Sequence, residues 1–152
     1  MILPPTRFFF IRSYLLKLSA INLQNNSRVC GYTLFFGRGE VKIGLNSWIS
    51  LGCKFHTNER AKIIIGNNCD VGPYVSFLTG THVKSNKLRR AGRGIAKSII
   101  VGDGVWIGAN TIILPGVKIE SGVIVAAGSV VKNNVPQNVL VAGCPAKIKK
   151  NL

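Results

Sequence analysis

From Val101 onward a branched aliphatic residue returns every six positions: Val101, Ile107, Ile113, Ile119, Val125 and Val131. Four residues after each comes a valine or a small hydroxyl side chain: Val105, Thr111, Val117, Val123, Ser129 and Val135. Gly102, Gly108 and Ala126 directly follow their aliphatic partners. Upstream the period returns as Ile65-Gly66, Val71-Gly72 and Phe77, and again as Ile43-Gly44, Ile49 and Phe55. Six is neither a helical nor a heptad period. It suits a short strand, a tight turn and a bend, repeated, as in a parallel β-helix whose coils bury their inner faces only against one another.

The first hexad position supplies large aliphatics that stack in rows down the interior. The fifth also points inward with less room, which places Ser47, Cys53, Cys69, Thr81, Thr111 and Ser129 there. Glycine supplies positive φ at the bends. Two interruptions break the register. Phe55 to Ile65 is ten residues, an insertion of four near His56–Lys62. Phe77 to Val101 is 24, but residues 83–98 have lost the pattern and carry Lys84, Lys87, Arg89, Arg90, Arg93 and Lys97 without an acid. That stretch reads as a loop extruded from the coil, and loops on rigid scaffolds disproportionately carry function.

At 152 residues one domain is expected, and 47% hydrophobic against 16% charged residues excludes disorder. Twenty Lys+Arg against five Asp+Glu give a formal charge of +15, which invites nucleic acid, an anionic membrane surface or a phosphorylated small molecule. Three cations fall in residues 7–17, six in the 83–98 loop and three in 147–150. Cys30, Cys53, Cys69 and Cys144 form no C-x-x-C pair, so a zinc ribbon is excluded and a reducing, cytoplasmic setting is expected. At the N-terminus Phe8–Ile11 and Tyr14–Leu16 are apolar, but Arg7, Arg12 and Lys17 interrupt them. That fits neither a membrane span nor a signal peptide. A cap packed on the body of the protein and an interfacial helix remain as readings, the latter a peripheral membrane contact through residues 1–23 at the inner face.

The run from Val101 to Lys150, with its hexads, the W-I-G-A-N segment and the closing G-C-P-A-K in order, resembles the hexapeptide-repeat acyltransferases, and within them the galactoside and maltose O-acetyltransferase branch. The likeness covers roughly residues 40–150. It implies an all-β fold, a left-handed parallel β-helix with three hexads per coil, a hand opposite to the usual crossover rule. Twelve hexads then give about four coils, with the extruded loop 83–98 and a short N-terminal segment. The expected division is a basic amphipathic segment over 1–38 and the β-helix domain over 39–150.

The resemblance also implies chemistry. The family's catalytic histidine precedes the long loop, and Thr79-Gly80-Thr81-His82 holds that place. His82 would take the proton of a sugar hydroxyl as it attacks the thioester of acetyl-CoA, the co-substrate; no metal is implied. No cysteine sits beside His82 in sequence, so no acetyl-enzyme is expected. Small residues are needed where the pantetheine arm lies, and Ala109 and Ala127 match. Lys132, Lys147 and Lys150 stand where relatives place cations against the nucleotide phosphates. His56 and Glu59 in the smaller insertion are candidate acceptor contacts, and Arg89 and Arg90 could draw in an anionic glycan. Trp106 is expected at a subunit contact. Relatives are homotrimers with sites between subunits, and compact relatives O-acetylate bacterial surface polysaccharides or their precursors.

Rivals from other classes fare less well. The γ-class carbonic anhydrases share the fold but need three histidines on one zinc, and this chain has only His56 and His82. A nucleic-acid binder would want aromatic residues in the basic loop, and residues 83–98 have none. A non-catalytic basic scaffold for nucleic acid or anionic glycan is opposed only by His82 in its setting.

Overall fold

In the computed structural model, which describes residues 4–19 and 21–152, the hexads wind into coils of three short strands. Helix α1 (Phe9–Leu18) comes first. The first coil is β1 (Ile21–Leu23), β2 (Arg28–Val29) and β3 (Leu34–Phe36). The second is β4 (Val41–Ile43), β5 (Trp48–Ile49) and β6 (Lys54–His56), and the third β7 (Ile63–Ile65), β8 (Asp70–Val71) and β9 (Ser76–Leu78). There the chain leaves the coil as an antiparallel hairpin, β10 (Gly80–Lys84) and β11 (Ala91–Ala96). It re-enters for a fourth coil, β12 (Ile99–Val101), β13 (Trp106–Ile107) and β14 (Ile112–Ile113). A fifth follows: β15 (Lys118–Ile119), β16 (Ile124–Val125) and β17 (Val130–Val131). Last come β18 (Val139–Ala142), parallel to β16, and β19 (Lys147–Asn151), which folds back antiparallel to β18.

Equivalent strands of successive coils pair in parallel, so three sheets form the faces of a prism. Face one is β1-β4-β7-β12-β15, face two begins β2-β5-β8-β13-β16-β18, and face three is β3-β6-β9-β14-β17. The register explains the period: Ile43 lies opposite Ile65, Ile65 opposite Val101 and Val101 opposite Ile119, all buried. On face three the row begins with stacked rings, Phe35 on Phe55 at 4.9 Å and Phe55 on Phe77 at 4.8 Å. Such aromatic pairs add about 0.5–1.5 kcal/mol beyond their burial.

Corners follow the same arithmetic. The third residue after each inward aliphatic turns the chain with positive φ: Asn26, Asn46, Asn68, Gly104 and Gly122 between faces one and two, and Tyr32, Gly52, Tyr74, Asn110 and Gly128 between faces two and three. Asparagine tolerates the left-handed region better than other residues with a Cβ. The fifth-position side chains are buried as expected at Ser47, Cys53, Cys69, Thr111 and Ser129. They tie coils together: Ser47 Oγ donates to Gly66 O at 2.9 Å and accepts from Cys69 N at 3.1 Å. Thr81 departs from this set. It lies exposed on the hairpin, and Thr79 is the buried residue, because the chain leaves the coil two residues before that position.

The β-helix starts at Ile21 rather than at residue 39, giving five coils where the hexads from Ile43 onward gave about four. Leu23, Val29 and Phe35 do repeat at six, but Phe35 to Ile43 is eight residues. The extra pair is taken up at Gly37–Gly39, where Gly39 N donates to Thr57 Oγ1 at 3.1 Å. The extruded loop 83–98 forms most of a paired antiparallel hairpin.

Helix α1 packs on the first coils. Phe9 meets the Trp48 ring at 5.5 Å, and Leu16 lies against the core. Arg12, expected among the cations that break up an apolar N-terminus, is only 4% exposed. Its guanidinium donates to the carbonyl oxygens of Pro4, Pro5, Arg7 and Val29 at 3.2–3.3 Å. No helix among the described residues is long and apolar enough to cross a membrane.

Candidate active site

The hairpin is pinned at both feet. Thr79 donates from N (3.1 Å) and from Oγ1 (2.9 Å) to the His56 carbonyl one coil below, and Lys97 N donates to Thr79 O at 2.9 Å. On the return side Ile99 N donates to Lys62 O at 2.9 Å, and Ser98 Oγ accepts from Lys62 N at 3.1 Å. His82 therefore stands three residues beyond a rigid anchor. It pairs across the hairpin with Gly94, and its imidazole lies beside that residue: a Cβ on Gly94 would sit 3.9 Å from Nε2.

Between this hairpin and the four-residue insertion runs a groove of about 610 Å³. The insertion is a short excursion after β6 closed by an Asn58–Ala61 bridge. It contributes Asn58, Glu59 and Arg60; the hairpin contributes Thr81, His82 and Arg93. Sequence reasoning had His82 and Glu59, and the fold brings them to one groove. It had not singled out Arg60 or Arg93, which line the same groove. The available signal was that both belong to the two register-breaking segments. Glu59 also meets Arg38 at 3.6 Å, both side chains exposed.

His56 does not line the groove. It is half-buried on face three with its ring stacked on Phe36 at 4.5 Å, while its carbonyl holds Thr79. Arg89 and Arg90 lie at the hairpin turn, where Asn86 Oδ1 accepts from Leu88 N and Arg89 N, outside the groove lining.

Ala109 and Ala127 lie one coil apart at the corner between faces two and three, and Gly128 N donates to Ala109 O at 2.8 Å. The backbone is tight there: a Cβ on Gly72 would come within 2.7 Å of Ala109 N. In the fourth and fifth coils this corner is built of small residues, Gly108, Ala109, Ala127 and Gly128, with Ala127 exposed, while Tyr74 projects from it in the third coil. Lys132 is exposed just beyond β17, and Lys147 and Lys150 are exposed on β19. The hairpin leaves from the corner between faces three and one, so His82 and the alanine corner belong to opposite edges of face three. Trp106 is exposed on face two. The thiols of Cys30 and Cys69 are raised by burial, and burial pushes that of Cys53 up to about 11.

Hexad coils in three parallel sheets, with a hairpin lifting a histidine from one corner, define a hexapeptide-repeat solenoid with a surface-built site. Residues 98–133 match the bacterial transferase hexapeptide (six repeats) family, and 97% of the chain superposes on solved acetyltransferase structures. With the acetyl-CoA complex of a hexapeptide-repeat-containing acetyltransferase from Vibrio cholerae O1 biovar eltor it shares 32% identity at TM-score 0.79, covering 97% of this chain and 80% of that one. With a maltose O-acetyltransferase from Clostridium difficile 630 the figures are 29%, 0.73, 97% and 78%. Against the galactoside O-acetyltransferase of Lactococcus lactis it is 38% identical over 90 residues, 59% of this chain and 44% of that protein. The chain belongs to the hexapeptide-repeat transferase family. It spans about half the length of the curated relatives it matches.

Proposed function

We propose that the chain is an acetyl-CoA-dependent O-acetyltransferase acting on a sugar hydroxyl, with His82 as general base. The observation that carries this is the groove in which His82 stands with Glu59, Arg60 and Arg93 on rigidly pinned segments. His82 takes the hydroxyl proton as the oxygen attacks the acetyl carbonyl; the new ester C–O bond forms, the C–S bond breaks, and the proton passes to the departing thiolate. A positioned base of this kind contributes about 10²–10⁴-fold. Cys30, Cys53 and Cys69 are buried with raised thiols, and the exposed Cys144 is not among the residues lining the His82 groove, which supports direct transfer over an acetyl-cysteine.

Ala109 and Ala127 suit the pantetheine arm, with Lys132, Lys147 and Lys150 as point charges for the nucleotide phosphates. Because the alanine corner and His82 occupy opposite edges of face three, a complete site pairs the corner of one copy with the hairpin of another. A homotrimer supplies three such pairings. Arg60 and Arg93 beside the base, and Arg89 and Arg90 at the hairpin turn, favour an anionic acceptor such as an acidic or phosphorylated glycan of a bacterial surface polysaccharide or its precursor. A cytoplasmic enzyme with access to such precursors fits this reading.

The test is a pair of measurements. Millimolar acetyl-CoA raises the melting temperature of the wild type, and His82→Ala abolishes acetyl transfer while keeping that shift. No shift in the wild type, or a His82→Ala enzyme of near-normal kcat, overturns the proposal.

A further inference from the structure

The solvent face of α1 breaks the rule for a solenoid cap, which ordinarily turns a polar surface outward. Its inner face is fixed by Phe9, Arg12 and Leu16. With the Arg12 guanidinium held by carbonyl oxygens of Pro4, Pro5, Arg7 and Val29, the helix cannot roll to hide its other side. That other side carries Phe10 (84% exposed), Leu18 (70%), Tyr14, Leu15 and Ile11. They fall at i, i+4 and i+8 (Phe10, Tyr14, Leu18) and at i and i+4 (Ile11, Leu15), one continuous apolar stripe.

Charge decides what covers it. The first acid in the chain is Glu40, so no carboxylate lies in the first 39 residues. Arg7 and Lys17 are exposed at the two ends of the stripe, and Arg28 is exposed with its guanidinium 5.6 Å from the Phe9 ring. A groove of about 410 Å³ lined by Lys17, Ser19 and Asn22 opens where the helix meets the first coil. A second copy docked stripe to stripe would bring these cations against their own equivalents. An anionic bilayer meets both parts of the surface, acyl chains for the stripe and headgroup phosphates for Arg7, Lys17 and Arg28.

We infer that α1 lies in the plane of an anionic membrane and holds the β-helix against it. The inference is independent of the proposed acetyl transfer. It is tested by vesicle flotation of the full chain on phosphatidylcholine alone and on phosphatidylcholine with phosphatidylglycerol. The chain should float with the anionic vesicles, about tenfold less at about 0.5 M salt, and not with the neutral ones. Phe10→Ser/Leu15→Ser/Leu18→Ser should lose flotation while keeping its melting temperature, since none of the three is in the core. A Lys87→Glu/Arg89→Glu/Arg90→Glu variant should still float. Failure of the wild type to float, undiminished flotation of the helix variant, or loss only in the hairpin variant overturns the inference. So does a fall in the sedimentation coefficient of the helix variant without vesicles, which would mean that a second copy covers the stripe.

Discussion

Arg12 shows how one side chain can decide what an element presents. Its charge is spread over four carbonyl oxygens, three in the segment before α1 and that of Val29 in the first coil, with the Phe9 ring 5.8 Å away. Replacing it with Met leaves those acceptors unpaired, and a loss of about 2–4 kcal/mol is expected in urea unfolding. Cys53 gives a second prediction. Its thiol is raised from 9.0 to about 11 in the folded chain, mainly by burial. The unfolded chain therefore ionises first as pH rises, so the contribution is fully present below pH 9.0 and lost toward 11. At about 1.4 kcal/mol per pH unit, the wild type should lose stability faster over that window than Cys53→Ser, whose hydroxyl does not titrate. Equal slopes in urea titrations at the two pH limits would refute it.

The hairpin behaves as a separable element, because the coil is already closed at Thr79 and Ile99. Replacing residues 85–90 with a two-residue turn should leave the melting temperature nearly unchanged and kcat with a neutral acceptor intact. KM for an anionic acceptor should rise several-fold as Lys87, Arg89 and Arg90 are removed. A corner tests the coil itself: Asn68→Val puts a β-branched side chain at φ 53° and should cost about 1–2 kcal/mol in denaturant unfolding. The coil was legible from sequence wherever hexads ran unbroken, since one inward aliphatic and one small corner recur whatever surrounds them. The first coil escaped because two residues at Gly37–Gly39 shift the register, a local detour that leaves no periodic trace. His82 and Glu59 were legible as residues inside interruptions. Arg60 and Arg93 were not, since which side chains of two excursions face one another depends on how each excursion folds back. The buried role of Arg12 was equally invisible, because a cation among aromatics reads as solvated until its carbonyl partners are placed.

At the scale of the whole molecule, the proposed site has its parts on opposed edges of face three and would be completed by a partner copy. Trp106, exposed on face two, is the expected contact. Trp106→Arg should convert a three-chain particle to single chains in sedimentation velocity and remove the acetyl-CoA thermal shift, whereas His82→Ala does neither. The fold-back of β19 onto β18 has a different consequence. A stack of parallel strands ends in unpaired backbone groups that any other strand could adopt, and face two would end that way at β18. The strand that covers it carries Lys147, Lys149 and Lys150, a poor template for further growth. Lys147 and Lys150, proposed for the nucleotide, would thus also serve with Lys149 as gatekeepers against fibre-like polymerisation, and a chain cut after Ala146 is expected to aggregate at concentrations where the full chain stays dispersed in light scattering.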